Sequence, residues 1–168
     1  MKSPSKTDVD ERYLQLAHQV RATSDDPKSE VVPGSGVGAV IVGSDGIIVT
    51  SANVLPPALK ERYTSLGLSV DYEDRYFVIE HAERAAILKA FVEGHDLRGL
   101  TMYASRFPCS DCARAIVWAG FKRAVFSTGL SGERFWLPSQ QAALRILRGA
   151  GVTVRILRSK DREDLPNL

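Results

Sequence analysis

The only two cysteines of this 168-residue chain stand one helical turn apart in Pro108-Cys109-Ser110-Asp111-Cys112, and about two dozen residues earlier runs His81-Ala82-Glu83. If these side chains share one task, the fold must carry two distant segments to a common point. Thiolate and imidazole are both ligands for zinc, which takes about four tetrahedral ligands and keeps roughly one position open where the site is catalytic. One histidine and two cysteines leave that opening, so His81, Cys109 and Cys112 are the expected ligands and Zn2+ the expected cofactor. Glu83 lies close enough to share the pocket, is not needed as a ligand, and is free to move protons. Two thiolates cancel the formal charge of the ion, so the metal alone acidifies water less than an all-histidine site would. A carboxylate that accepts the proton makes up the difference. A disulfide between the cysteines is the less expected use, given the nearby histidine motif.

The segments around this pattern show how it can be assembled. From about Val9 to Arg21, the residues Tyr13, Leu14, Leu16, Ala17 and Val20 recur at helical spacing between charged residues, which predicts a packing helix. His18 lies within it without a partner motif and reads as an ordinary surface or satisfied core histidine. The polar run from Ala22 to Pro27 and the Pro33-Gly34-Ser35-Gly36 run predict a loop. These glycines precede Val37-Gly38-Ala39-Val40-Ile41-Val42, a strand pattern, so they do not form a phosphate-binding loop at a helix start. Ser44-Asp45-Gly46 then turns the chain into Ile47 to Ser51, an antiparallel hairpin. Between Ala52 and Glu80 come Pro56-Pro57, a short helical candidate from Ala58 to Tyr63, and the aromatic, acidic segment Asp71 to Phe77. A connection of that length is expected to form one wall of the pocket or an oligomer contact.

Beyond it, Ala82, Ala86 and Ala90 make a small-residue stripe that lets a helix lie close on a sheet until Gly94 ends it. A strand from Leu100 to Ser105, a helix from Pro108 to Ala119 and a strand from Arg123 to Ser127 follow, a βαβ pattern. A right-handed crossover brings the starts of both motif helices to the carboxyl edge of the strands, where open α/β sheets bind ligands. Topology therefore joins His81 to Cys109, and the positive helix ends favour thiolate. After the Ser131 to Trp136 loop, a helix from Pro138 to near Gly149 leads to a last strand, Val152 to Leu157. A helix between the last two strands makes them parallel.

Composition sets outer bounds. With 44% hydrophobic and 25% charged residues, the chain reads as one domain over 1–168, with frayed ends at about 1–8 and 159–168. A net charge of +2 and a pI near 8.6 do not call for a nucleic-acid partner. No stretch reads as a membrane span or a secretory signal core, so no membrane partner and a cytoplasmic location are expected.

The combination of His81-x-Glu83 with Pro108-Cys109-x-x-Cys112 resembles the zinc-dependent cytidine and deoxycytidylate deaminase superfamily, whose signature is H-x-E with P-C-x-x-C. A parallel final strand is similar to the branch that holds deoxycytidylate, guanine and tRNA adenosine deaminases; free cytidine deaminases pair that strand antiparallel. Ser24-x-Asp26-Pro27, Asn53 after a strand, His81-Ala82-Glu83-Arg84 and Pro108-Cys109-x-Asp111-Cys112-Ala113 resemble the deoxycytidylate-type members most. The resemblance implies a three-layer α/β/α sandwich around a mixed five-stranded sheet. It further implies Glu83 as catalytic proton shuttle, Asn53 at the sugar, Ala82 at the base edge, a nucleotide or nucleobase substrate, and homo-oligomeric assembly. The implied reaction is hydrolytic deamination of a cytosine nucleotide, dCMP to dUMP with loss of ammonia. Deamination of a purine or another nucleobase, and an inactive partner subunit with structural zinc, are the alternatives. Three departures matter: Ala85 stands where the family commonly has Asn, Asp25 where it has Lys, and Ser51-Ala52-Asn53 replaces a Gly-Tyr-Asn segment associated with nucleotide effectors. Effector control is therefore not implied, and a substrate phosphate would have to be met by Arg21, Arg84 or Arg106.

Overall fold

A computed structural model describes residues 5–157. Ser5 caps the first helix, α1 (Lys6–Val20), through a reciprocal capping box with Asp8, so the helix starts ahead of the expected Val9. A short 3-10 turn (Arg21–Thr23) and a single helical turn, α2 (Lys28–Val31), occupy what reads in the sequence as loop. The hairpin follows as β1 (Gly38–Gly43) and β2 (Gly46–Ala52). Two helices, α3 (Pro57–Ser65) and the four-residue α4 (Arg75–Val78), lie within the long connection. The rest alternates: α5 (Ala82–Val92), β3 (Thr101–Ala104), α6 (Ser110–Trp118), β4 (Arg123–Phe126), α7 (Leu137–Gly149) and β5 (Thr153–Ile156). The tail expected to fray lies outside the described residues.

The strands form one sheet in the order β2-β1-β3-β4-β5. β1 is antiparallel to both neighbours, while β3, β4 and β5 are parallel. The mixed five-stranded sheet and its parallel last strand are as expected. Because β2 and β3 both oppose β1, the β2-α5-β3 connection is a parallel crossover that steps over β1.

Strand alternation divides the core into two layers. Ala39, Ile41, Met102, Ala104, Ala124 and Phe126 face α5, α6 and α7. Val40, Val42, Tyr103 and Val125 face Leu14 and Ala17 of α1. Burial on both faces explains the uninterrupted apolar run in β1. At Gly38 a Cβ would stand 2.0 Å from the Ala17 carbonyl oxygen, so α1 can approach the sheet only because that residue has no side chain.

One buried acid fixes α1 in place. Asp10 is fully buried and accepts from Arg123 through both guanidinium nitrogens (2.7 and 2.6 Å), from Arg155 (2.6 Å) and from the Tyr103 hydroxyl (2.9 Å). It joins the helix to β3, β4 and β5 at once. Burial alone raises its pKa, but the hydrogen bonds from Arg123 and Tyr103 and the two guanidinium charges outweigh burial and hold it below the ordinary carboxylate value.

Asp10→Asn should therefore cost about 3 kcal/mol, or somewhat less because both guanidiniums keep some water, read as a lowered urea midpoint. The depressed pKa makes this contribution complete above about pH 4 and lost as pH falls towards the folded value. The wild-type protein should lose more stability than Asp10→Asn on acidification below pH 4; parallel losses would contradict the assignment.

Candidate active site

The two motif helices begin side by side at the carboxyl edge of the parallel strands. Ala82, Ala86 and Ala90 of α5 and Ala113 of α6 are fully buried, so both helices lie close on the sheet. His81 caps α5 in extended backbone conformation (φ −67°, ψ 145°), and Cys109 caps α6 with its sulfur 3.5 Å from the Cys112 N–H. The residue before each helix is thus directed across the sheet edge instead of along it.

His81 Nδ1 lies 3.4 Å from Cys109 Sγ and 3.5 Å from Cys112 Sγ, and the three ligand atoms lie within 4.8 Å of one another. Zinc bonds of ~2.0–2.1 Å to nitrogen and ~2.3 Å to sulfur, at a tetrahedral angle, set those atoms about 3.5 Å apart. The donor set and its spacing fit a zinc ion. Glu83 is buried with Oε2 3.6 Å from Cys112 Sγ, beside the cluster.

The electrostatics of the protein groups alone are asymmetric. The hydrogen bond from Cys112 lowers Cys109 against the effect of burial, and with His81 it brings the thiol to about 4. Cys112 is pushed well above the ordinary thiol value by that same contact and by burial. Contact with Cys109 raises His81 to about 9, although burial opposes it. Burial pushes the Glu83 carboxyl up, with the His81 charge pulling the other way. The contacts from Cys112 and His81 favour one thiolate, at Cys109; a second needs a cation.

A surrounding set of hydrogen bonds holds the motif segments. Glu80 pairs with Val54 as an isolated antiparallel bridge, its carboxylate accepts from the His81 N–H (2.9 Å), and its other oxygen accepts from Arg84 (2.9 Å). The bridge sets Asn53 next to the histidine segment. Asn53 is buried: its Oδ1 accepts from the Val37 N–H (2.7 Å) and its Nδ2 donates to Asp26 (3.2 Å). Ala82 is fully buried at the first turn of α5. Of the candidate cations, Arg84 is committed to Glu80, Arg21 donates to the Gly34 carbonyl, and Arg106 stands exposed beside the cysteine loop. Asp25 accepts from Lys60 (2.7 Å) and from the Leu55 N–H. His18 is satisfied by Ser127 (2.8 Å).

Three features were not anticipated from sequence. The cysteine loop is gripped by α7, where Ser139 accepts from the Ser110 N–H (2.9 Å) and buried Gln140 donates to the Phe107 carbonyl (3.2 Å) while accepting from the Ser131 N–H. Trp136, half-buried, sets its ring 6.3 Å from that of His81, with Phe135 edge-on to it and Tyr76 beyond. Arg75, within the acidic segment, is buried. Ser139-Gln140 just after a helix-starting proline was the available signal for the first; the other two have none, since neither segment has periodicity.

Residues 7–128 match the family described as the cytidine and deoxycytidylate deaminase zinc-binding region. The Homo sapiens deoxycytidylate deaminase is 32% identical over 127 residues, covering 73% of this chain and 68% of that protein. This chain belongs to that deaminase family. A dCMP deaminase from the cyanophage S-TIM5 superposes with a TM-score of 0.68 at 20% identity, over 91% of this chain and all of that one. The Acinetobacter baumannii RibD superposes with a TM-score of 0.62 at 25% identity, over 90% of this chain and 36% of that one. The chain thus has the fold of the deaminase family and a His-Cys-Cys set suited to its zinc.

Gln140→Leu should leave the Phe107 carbonyl and Ser131 N–H without partners and cost about 2–3 kcal/mol, measured by urea denaturation. An unchanged midpoint would show that α7 does not support the cysteine loop.

Proposed function

We propose that this single-domain protein is a zinc-dependent hydrolase that deaminates a cytosine nucleotide, dCMP to dUMP. The observation that carries the reading is the buried, non-ligating Glu83 beside a three-ligand set that leaves a zinc position open. A closed structural site has no use for such an acid. The relatives named deoxycytidylate deaminase, and the dCMP and dUMP held by the cyanophage S-TIM5 enzyme, support the choice of base and phosphate.

His81, Cys109 and Cys112 would hold the ion. When bound, zinc supplies the Lewis acidity that makes water a nucleophile near neutral pH. Glu83 Oε2 takes a proton from the water as its oxygen adds to C4, and delivers it to N3 of the ring. It then carries the second proton to the departing amino group, so that ammonia leaves and a carbonyl remains. A carboxyl raised by burial suits a group that must both accept and release protons. The Ala82 backbone would face the base edge and Asn53 the sugar.

Metal analysis should find about one zinc per chain, and less in Cys109→Ala. Because Cys112 and His81 hold protons that the metal displaces, zinc affinity should weaken as pH falls. Glu83→Ala should keep its zinc and fold but lose about 100- to 10,000-fold in turnover; an active variant would sink the mechanism.

The substrate is tested by assaying dCMP, CMP, deoxycytidine, cytosine, guanine and adenosine-containing RNA side by side. Turnover over Michaelis constant should be greatest for dCMP. A preference for guanine or for the RNA would move the protein to another branch of the family.

Homo-oligomeric assembly also belongs to this reading. The Ala52 to Glu80 segment exposes Leu66, Leu68 and Phe77, and the loop before α7 exposes Phe135; the outer faces of α5 and α6 add Phe91, Val92 and Trp118. Light scattering at micromolar concentration should find an oligomer, and a monomer would contradict the assignment. No helix among the described residues is long and apolar enough to cross a membrane.

A further inference from the structure

Arg75 is a buried cation whose one carboxylate partner, Asp26, stands at the edge of ion-pair distance. Every other cation whose ion pair bears on this region meets its carboxylate directly: Lys60 to Asp25 at 2.7 Å and Arg84 to Glu80 at 2.9 Å. Asp10, on the far face of the sheet, meets two guanidiniums at 2.6 Å each. For Arg75 the nearest carboxylate oxygen is Asp26 Oδ1, at 3.9 Å from Nε and beyond hydrogen-bond reach. Both Asp26 oxygens already accept elsewhere, from the Lys28 N–H (2.9 Å) and from Asn53 Nδ2 (3.2 Å). Of its five N–H donors Arg75 engages one at each terminal nitrogen, on the Tyr72 carbonyl and the Tyr76 hydroxyl (2.8 Å). The rest of its environment is aromatic, with the guanidinium 3.7 Å from the Tyr72 ring centre and 4.2 Å from that of Tyr76. The rings shield the charge, and the Asp26 carboxylate meets it without a hydrogen bond, whereas a buried charge is usually both paired and hydrogen-bonded.

Its position suggests which anion its spare donors would meet. Asp26 links Arg75 to Asn53, the residue proposed at the sugar, and Tyr76 links it through Phe135 to Trp136 and His81. The guanidinium is thus linked, one residue removed, to Asn53, the residue proposed at the sugar. Two of the other arginines considered there have settled partners: Arg84 is held by Glu80, and Arg21, half-buried, donates to the Gly34 carbonyl.

We infer that Arg75 reads the 5′-phosphate of the substrate, as the anion site of the nucleotide-binding cleft. The planar guanidinium can offer a phosphate monoester two parallel donors. To do so it exchanges the Tyr72 carbonyl and Tyr76 hydroxyl for phosphate oxygens, with the half-exposed tyrosine rings shifting to admit them. This inference rests on the nucleotide deaminase reading above and specifies how that site would distinguish nucleotide from nucleoside.

The test measures kcat and KM for dCMP and deoxycytidine, together with calorimetric binding of dUMP and deoxyuridine, in the wild type, Arg75→Gln, Arg75→Lys and Tyr76→Phe. Arg75→Gln should lower kcat/KM for dCMP roughly 100-fold, mainly through KM, and weaken dUMP to match, with both nucleosides unchanged. Arg75→Lys should recover part of the dCMP preference. Tyr76→Phe, which frees one guanidinium nitrogen and leaves the cation in place, should lower KM for dCMP about threefold; this arm remains informative if Arg75→Gln fails to fold. Equal losses on dCMP and deoxycytidine would make Arg75 a structural residue and overturn the inference, as would loss of phosphate preference in Arg106→Gln with Arg75→Gln unaffected. A wild type that deaminates both compounds equally would overturn it while leaving cytosine deamination intact. A wild type inactive on both, yet active on another base, would remove the functional reading itself, and unchanged dUMP binding in Arg75→Gln would then remove the anion site separately.

Discussion

The close approach of two helices to the sheet is the constraint on which the rest of the site depends. Ala82, Ala86 and Ala90 on α5, with Ala113 on α6, leave no side-chain bulk between helix backbone and strand. Their first turns therefore open at the same sheet edge with His81 and Cys109 as cap residues. A cap residue has extended backbone, so its side chain points across the helix end and not down its flank. Two caps facing each other bring a ring nitrogen and two sulfurs to 3.4 and 3.5 Å. Larger residues in the alanine stripe would move these ends apart by more than a tetrahedral metal tolerates.

Electrostatics alone would not maintain that cluster. Lowering Cys109 to about 4 while Cys112 is driven up is the response of two thiols that cannot both ionise in one buried space. A divalent ion removes the conflict, and the His81 nitrogen at ligand distance from both sulfurs is what makes the set read as a metal site and not as a redox pair. The supporting hydrogen bonds keep its geometry rigid: Glu80 ties the histidine segment to the strand-end bridge, and Ser139 and Gln140 tie the cysteine loop to α7.

Much of this was legible in the sequence because cysteine, histidine and acid at those spacings have few cheap alternative uses, and because alternating strand and helix patterns leave little topological freedom. The hairpin, the parallel last strands and the two motif helices follow from periodicity and turn residues. What was missed depends on tertiary contact. Asp10 shares the buried stripe with Leu14 and Ala17, and an acid at that position was a signal that some cation must reach it from elsewhere. The helical turn at 28–31 lies in a segment whose Ser24 and Asp26 side chains bind the backbone locally, a pattern that reads equally well as loop. Trp136 sits beside His81 only because the strand order sets the loop after β4 next to the start of α5.

The two buried charge clusters show how environment separates structure from recognition. Asp10 has all its acceptor directions filled by donors from three strands, so it holds α1 on the sheet and has nothing left to offer a ligand. Arg75 is also buried, but it has aromatic faces and one loosely placed carboxylate in place of a bidentate partner, on a four-residue helix within a long connection. Rings can slide over a guanidinium at little cost, whereas a bidentate salt bridge must break before it yields. The saturated cluster lies under α1, and the loosely paired one on the connection between β2 and α5. Asp25 likewise has its charge met, by Lys60 of α3 at 2.7 Å, and it accepts from the Leu55 N–H, so the Ser24-to-Pro27 segment is tied to the start of the long connection through its own acid.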